Sequence, residues 1–281
     1  MGRSGGASES PAHLRVIFFA TAFNPPGENR RQNSGILFPS YLQISGAIMD
    51  EHSILYCDNH ILVAVKPCNV PSQADASGDE DMLTRLKKYI GIKYNKPGNV
   101  YLGLVHRLDR PAGGVMIFAR TSKAAARLSA QFAAHAQGRR YLAVTQGEWK
   151  APVHPVDFLR KEGNGMVRVV SEGAPGARRA ELISTPLACR QGLTLTDVEL
   201  MTGRAHQIRV QHAHLGHPLW GDNRYGEGRP GQQLALWAWS LTVKHPTRDE
   251  MLTFVAPPPR RDVWELFAGE LEETIAHAQG K

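Results

Sequence analysis

Two apolar runs on either side of a nine-residue segment constrain the fold of this chain more than any other feature of its sequence. The first run spans residues 102–105 and the second residues 115–119, and neither contains a polar side chain. Short apolar runs of this kind are typical of strands buried inside a sheet. The segment between them, residues 106–114, is therefore predicted to be a turn that the core holds at both ends.

This turn carries a single carboxylate, Asp109, between two arginines, Arg107 and Arg110. Pro111 fixes one backbone dihedral angle, and the glycines at 113–114 allow conformations that other residues avoid. A loop carried by a rigid sheet can hold one reactive group in a defined place. Alternatively, Asp109 only forms a surface salt bridge with a neighbouring arginine. These residues alone leave both interpretations open.

The size, charge and cysteine content of the chain limit the classes of function to consider. The 281 residues suffice for one large domain with a substantial core. The formal net charge of +7 and the pI of about 9.4 favour a polyanionic partner, most commonly nucleic acid. The three widely spaced cysteines form no C-x-x-C pair, which predicts a cytoplasmic location. No apolar run is long enough to span a bilayer, and residues 16–23 only faintly resemble a signal peptide.

Composition divides the chain at about residue 48. Residues 1–48 are rich in Gly, Ser, Pro and Asn without a sustained period, which predicts a poorly ordered extension. Residues 49–281 are predicted to form the folded domain. Its strands are expected at residues 54–57, 61–65, 139–144, 180–187, 193–200, 234–243 and 251–255, and its helices near residues 79–90, 122–138, 204–216 and 262–277. Many strands with few helices indicate an α+β fold.

Residues 202–212, Thr-Gly-Arg-Ala-His-Gln-Ile-Arg-Val-Gln-His, form a second informative segment. The Thr-Gly pair predicts a turn, and the residues after it predict a helix. On that helix His206 and Arg209 are three residues apart and face the same way. Because Arg209 lies between two apolar residues, we expect its guanidinium to point inward, where a carboxylate is its natural partner.

Other polar patterns have simpler interpretations. Four histidines, His206, His212, His214 and His217, suggest zinc, but His212 and His214 would point to nearly opposite sides of a helix and no H-E-x-x-H motif is present. Glycines at 226, 228 and 231 match the dinucleotide-binding pattern, but a strand rather than a helix follows them. We therefore expect no metal and no cofactor. Arg139, Arg140 and the arginines of residues 160–179 either follow phosphates or belong to a solvated basic face.

Two segments together resemble the signature of the RluA family of RNA pseudouridine synthases. They are residues 106–111 (His-Arg-Leu-Asp-Arg-Pro) and 203–209 (Gly-Arg-Ala-His-Gln-Ile-Arg), and residues 139–143 (Arg-Arg-Tyr-Leu-Ala) resemble a third family motif. Further matches in family order are Lys66-Pro67, residues 221–226, residues 234–236 and His245-Pro246. The first 48 residues do not resemble an S4 RNA-binding module, so we expect the form of the family without an S4 domain.

The resemblance implies a pseudouridine synthase fold, with a mixed, mostly antiparallel sheet, flanking helices and a cleft across the sheet. It implies that the domain at residues 49–281 isomerises specific uridines in ribosomal or transfer RNA. Asp109 would be the essential catalytic residue, either as a nucleophile on the ribose or by initiating glycal formation. Such a carboxylate must be ionised in a dry pocket, which needs a cation alongside. Arg209 matches that cation, and Tyr141 matches the tyrosine that stacks on the base and assists removal of the C5 proton.

The resemblance also implies a set of substrate-binding residues. They are Arg107, which would hold splayed RNA, together with His106, Arg110, Arg204 and His206. A uridine inside a duplex cannot reach Asp109, so the target is expected to be flipped out or in a loop. The expected protein is a monomer. Two other classes stay open: an RNA chaperone with the same fold, which would not need Asp109, and a metal-dependent hydrolase that uses the histidines.

Overall fold

The chain folds into a twelve-stranded mixed sheet flanked by four α-helices, in a computed structural model that describes residues 13–18 and 53–278. The strands are β1 (His13–Phe18), β2 (Ile54–Cys57), β3 (Ile61–Lys66), β4 (Gly103–Leu104), β5 (Gly113–Ala119), β6 (Gly138–Gln146), β7 (Val156–Lys161), β8 (Val167–Val170), β9 (Arg178–Arg190), β10 (Leu193–Leu200), β11 (Leu236–Lys244) and β12 (Glu250–Val255). The helices are α1 (Met82–Lys93), α2 (Ser122–Ala133), α3 (Gln207–His214) and α4 (Ala268–Ala278), with a 3₁₀ helix at Asp262–Phe267. In the part of the chain just given, no helix combines the length and the apolar character needed to cross a bilayer.

The order of the strands brings distant parts of the sequence together at the centre of the sheet. The order is β2-β3-β5-β11-β6-β10-β9-β7-β8. Neighbours along this path are antiparallel, except that β5 and β11 run parallel. The register places Gly114 beside Ala238, and Ala238 beside Tyr141. The loop that precedes β5 therefore lies two strands away from Tyr141.

The strand β5 is the buried strand that the apolar run predicted. All seven of its residues are buried, and β3 pairs with the last six of them, residues 114–119. On its other edge β11 pairs with the first two residues, and the short β4 pairs with the last two. Between them the side chain of His106 accepts a hydrogen bond from the backbone N–H of Ile117 at 3.0 Å. Where neither β11 nor β4 pairs with β5, the ring nitrogen of His106 thus supplies the hydrogen-bond acceptor that a backbone carbonyl would otherwise provide.

Helices pack on the sheet through apolar side chains. Thr121 accepts a hydrogen bond from the N–H of Ala124 and caps α2, which buries Ala124 and Leu128 against the sheet. In a separate cluster of buried side chains, Phe267 and Leu271 pack with Trp237 and Trp239 of β11. Two apolar clusters thus fix α2, the 3₁₀ helix and α4 to the sheet.

Six residues of the N-terminal extension depart from the expected lack of order. Residues 13–18 form β1, which pairs in parallel with β12 near the other end of the chain. The side chains of Leu14 and Val16 are exposed, so this strand has no alternation of buried and exposed residues from which it could be predicted. The rest of residues 1–48 lies outside the described residues. The division of the chain at residue 48 stays a prediction.

Gly114 is expected to tolerate no side chain, because β11 passes directly against it. Its φ is +119°, and an added Cβ would overlap the backbone of Ala238. We expect Gly114→Ala to lower the free energy of unfolding by at least about 2 kcal/mol in urea denaturation. In Gly173→Ala the new methyl group meets nothing within 4 Å, so a change below about 1 kcal/mol is expected. Equal losses in both variants would contradict the packing argument.

Candidate active site

A cleft of about 850 Å³ crosses the face of the sheet next to β6. Its walls include the loop at residues 106–110, Tyr141 on β6 and residues 203–209 at the start of α3. Among the residues that line it, seven are Arg or Lys and two are Asp. The cleft is therefore strongly basic, as a site for a polyanion would be.

Asp109 lies in this cleft beside Arg209, as the sequence predicted. The Asp109 carboxylate is 26% exposed, and its Oδ2 lies 3.4 Å from Arg209 Nη1. The stronger partner of Arg209 is a second carboxylate, Asp222. It accepts two hydrogen bonds from Arg209, from Nε and Nη2, both at 2.7 Å. Arg209 thus binds Asp222 with one edge of its guanidinium and presents another nitrogen to Asp109.

Burial and charge fix the ionisation of the pair Arg209 and Asp222. Their side chains are 4% and 0% exposed. Burial alone would raise the pKa of Asp222, but the hydrogen bonds and charge of Arg209, with two backbone N–H groups, outweigh burial and lower it. Burial alone would lower the pKa of Arg209, but the hydrogen bonds and charges of the two aspartates outweigh burial and raise it. Arg209 is therefore a permanent cation beside Asp109.

The backbone around Asp109 is tied to a separate part of the chain. The fully buried Lys66 donates hydrogen bonds from Nζ to the carbonyls of Pro67, Val70 and Arg110, at 3.0, 2.7 and 3.0 Å. Burial lowers the pKa of Lys66 to about 8. On the other side of Asp109, Ser72 Oγ donates to the carbonyl of Leu108 at 2.8 Å. These contacts hold the loop on both sides of its carboxylate.

Tyr141 contributes an aromatic ring to the wall of the cleft. It shares one face of β6 with Ala143, while Leu142 and Val144 pack on the other face, as the alternation predicted. Burial raises the pKa of Tyr141, with a smaller contribution of the same sign from Asp109. The phenol is therefore neutral at neutral pH.

The helix that carries Arg209 begins later than the sequence predicted. It starts at Gln207, and His206 precedes it with a left-handed backbone, φ +51°. His206 and Arg209 are thus not on one helical face, although both line the cleft. His206 Nδ1 lies 2.7 Å from the hydroxyl of Tyr225, which accepts a hydrogen bond from the N–H of Val167. Burial lowers the pKa of His206, so that its imidazole is neutral at neutral pH.

His106 stabilises the wall of the cleft through a stacking contact and a backbone hydrogen bond. Its ring stacks on Phe132 at 4.7 Å between centroids, and its Nε2 is the acceptor of the Ile117 N–H described above. Burial lowers its pKa to about 3. Because a protonated ring could not accept this hydrogen bond, His106 is a neutral support of the wall, and its predicted contact with substrate stays a prediction.

The three arginines predicted to bind substrate differ in their surroundings. Arg107 is exposed at the cleft, and no ion pair links it to another of the described residues. Arg110 forms ion pairs with Asp79 and Asp75, so part of its charge is already neutralised. Arg204 donates from Nε to the carbonyl of Arg179 at 2.8 Å. Arg107 is therefore the most available of the three for a new contact.

Asp222 is a functional residue that the sequence did not single out. It follows Gly221 within residues 221–226, which resemble the family without indicating a role for this carboxylate. Its carboxylate also accepts hydrogen bonds from the N–H groups of Arg224 and Tyr225. The apolar pair at residues 219–220, separated from Asp222 only by Gly221, is a signal of burial in the sequence.

The histidines do not form a metal site within the described residues. No three His, Cys, Asp or Glu side chains gather there in a way that could hold an ion. His212 is buried: its Nδ1 donates to the carbonyl of Ile208 at 2.8 Å, and its Nε2 accepts from Ser184 Oγ at 3.0 Å. This histidine therefore fixes α3 against β9.

Acid is expected to destabilise the fold through His212. Burial lowers its pKa from 6.5 to about 4. Between these values the unfolded chain binds a proton that the folded chain excludes. The contribution of His212 to the free energy of unfolding is therefore complete above pH 6.5. Between pH 6.5 and pH 4 it is lost at about 1.4 kcal/mol per pH unit. Urea denaturation at several pH values measures this slope.

Two variants separate His212 from the other histidines. His212→Gln should reduce the dependence of the unfolding free energy on pH by the amount just given. His214→Gln, on the same helix but exposed, should leave it unchanged. A slope that is the same in both variants and the parent would show that His212 does not control it.

Comparison with known proteins identifies the family of this fold and site. Residues 60–214 match the family described as RNA pseudouridylate synthase. Ribosomal large subunit pseudouridine synthase C of Vibrio parahaemolyticus is 32% identical over 217 residues, which cover 74% of this chain and 66% of that protein. The uncharacterized RNA pseudouridine synthase YhcT of Bacillus subtilis is 33% identical over 213 residues, covering 74% and 69%.

Solved structures share the fold. Human RNA pseudouridylate synthase domain containing 4 superposes with a TM-score of 0.62 at 21% identity, over 78% of this chain and 92% of that chain. Human RNA pseudouridylate synthase domain containing 1 superposes with a TM-score of 0.58 at 22% identity, over 78% of this chain and 94% of that chain. The predicted α+β pseudouridine synthase fold is confirmed.

The chain belongs to the RNA pseudouridylate synthase family, which confirms the resemblance found in the sequence. It is by family an RNA pseudouridine synthase, within the isomerase class of enzymes. It spans about two thirds of the length of the curated relatives it matches.

Proposed function

We propose that this protein isomerises uridine to pseudouridine in RNA, with Asp109 as the essential catalytic residue. The observation that carries the proposal is the position of Asp109, which is partly exposed in a basic cleft beside the buried cation Arg209. A chaperone would need the basic surface but not a carboxylate on a loop whose backbone Lys66 and Ser72 hold on both sides of that residue. The family match supports the same reaction.

The reaction breaks the glycosidic N–C bond, turns the base while it stays bound, and joins C5 to the ribose. In the proposal Asp109 acts on the ribose, as a nucleophile or by initiating glycal formation. Arg209 compensates its negative charge, and the flat ring of Tyr141 gives the detached base a surface to stack on. Tyr141 also assists removal of the C5 proton in this scheme.

The substrate in this proposal is large-subunit ribosomal RNA. Its support is the name of the Vibrio relative, ribosomal large subunit pseudouridine synthase C. Transfer RNA is the second candidate. Because Asp109 lies inside the cleft, the target uridine must be flipped out or in a loop to reach it. We propose that Arg107 holds the displaced strand, and that the protein acts as a monomer in the cytoplasm.

Tritium release tests the proposed reaction. RNA labelled with tritium at uridine C5 is incubated with the purified protein, beside an Asp109→Asn variant. Since only bond formation at C5 expels that hydrogen, the parent should release tritium to water and the variant should not. If the parent binds the RNA and releases no tritium, the chaperone replaces the isomerase as the function. Loss of activity on chelation, with a stoichiometric ion, would instead support the metal-dependent hydrolase.

A further inference from the structure

Arg139 is a cation of the cleft wall that the proposed reaction does not use. It lies two residues before Tyr141 on β6, and both line the cleft. Its Nη2 donates one long hydrogen bond, 3.4 Å, to the carbonyl of Leu200. Its Nε is buried and has no acceptor among the residues that the structure describes. A buried N–H without an acceptor is costly, so this arrangement calls for a further partner.

The charges around Arg139 also favour a further partner, one with a negative charge. Within residues 13–18 and 53–278, no carboxylate pairs with it. Burial, together with the like charge of Arg204, lowers its pKa. The adjacent Arg140 shows the contrast, since it is paired with Asp197 and lies over the ring of Trp239. The protein thus neutralises one arginine of this pair and leaves the one in the cleft without a counter-charge.

Gly203 leaves the space that the guanidinium of Arg139 occupies. A Cβ built on Gly203 would overlap Nη1 of Arg139. The overlapping atom is the end of a flexible side chain, so a methyl group there would displace Arg139 without a large strain on the fold. A Gly203→Ala substitution would therefore move the positive charge of Arg139 without removing it.

We propose that Arg139 binds a backbone phosphate of the RNA next to the target uridine, with Arg204 as the second cation of this phosphate site. The proposal rests on the proposed function in that it takes RNA as the ligand. Phosphate oxygens would supply both the missing acceptor and the missing negative charge. Because Arg139 and Tyr141 share one face of β6, this contact would fix the strand beside the ring on which the base stacks.

The dependence of RNA affinity on salt tests the proposal. The probe is a fluorescein-labelled RNA hairpin with uridines in its loop, and anisotropy gives Kd at several salt concentrations. Arg139→Gln is expected to raise Kd about tenfold and to lower the slope of log Kd against log salt by about 0.7 to 1. The control is Lys123→Gln in the first turn of α2, about 13 Å along the helix from Phe132 at the cleft. It should leave the slope unchanged.

Gly203→Ala provides a second variant that keeps the charge. It should raise Kd as Arg139→Gln does while the melting temperature stays close to that of the parent. In Arg139→Gln the same methyl group has no guanidinium to displace, so adding it should change Kd by less than about twofold. If the added methyl weakens binding equally in both backgrounds, it obstructs RNA by itself and the proposal fails.

Other outcomes would also overturn the assignment. An unchanged salt slope in Arg139→Gln, or an equal change in Lys123→Gln, would show that Arg139 makes no specific phosphate contact. A shifted pH profile of tritium release with unchanged Kd would show that Arg139 acts through Tyr141. The anisotropy measurement of Kd needs no turnover, so its outcome is independent of whether the parent isomerises uridine.

Discussion

Replacing Asp109 with Asn is expected to lower the rate of tritium release from uridine C5 by about 10⁴-fold or more. Asn matches Asp in size but provides neither a nucleophile nor a base. The fold should be preserved, because among the described residues the Asp109 carboxylate has one polar partner, Arg209, at the long distance of 3.4 Å. Arg209 keeps both of its short hydrogen bonds to Asp222 in this variant. We expect a change in the unfolding free energy below about 1 kcal/mol.

Three measurements distinguish lost chemistry from lost structure or lost binding. The tritium assay gives the rate, anisotropy with the labelled hairpin gives Kd, and urea denaturation gives stability. Only the rate should change strongly. Asp249→Asn, the same substitution at an exposed acid paired with Lys244, should leave all three close to the parent values. Substantial residual release by the Asp109 variant would remove Asp109 from the centre of the reaction.

The sequence predicted most of the fold because its strands and helices carry clear local signals. The apolar run at residues 115–119 lies in the fully buried β5, and the helix predicted near residues 122–138 is α2, Ser122–Ala133. The strand β1 was missed, because its side chains are exposed and its partner is almost the whole chain away. Backbone pairing with a distant edge strand leaves no periodic pattern in the sequence.

The structure brings the predicted site residues together in one cleft, but the sequence did not predict how they are arranged. Arg209 does point inward onto a carboxylate, yet the short hydrogen bonds go to Asp222, and Asp109 takes the longer contact. A sequence shows that a buried arginine needs an acid but not which of several acids the fold delivers. The role of His106 in completing the edge of β5 was equally invisible, since it depends on where β11 diverges from β5.

Asp222 is expected to be a positioning residue, and Asp222→Asn should affect both stability and rate. Removing one partner of a buried pair leaves an uncompensated charge, so we expect a loss of about 3 to 5 kcal/mol in unfolding free energy. Without the charge of Asp222, Asp109 becomes the principal counter-charge of Arg209. The guanidinium should then turn toward Asp109 and hold its carboxylate away from the ribose. We therefore expect kcat to fall while the Kd for RNA changes little.

The control is a buried acid outside the cleft. Asp197, also buried and paired with an arginine, is 5% exposed, but its partner Arg140 is half exposed and can be hydrated when the pair is broken. Asp197→Asn should therefore lower stability by less and leave the kcat of the folded fraction unchanged. Both variants are assayed at a temperature where denaturation curves show them folded. If Asp222→Asn keeps the parent kcat under these conditions, Asp222 stabilises Arg209 without positioning it. If both variants lose kcat in proportion to stability, the effect is one of folding, and the orientation of Arg209 is not what limits the reaction.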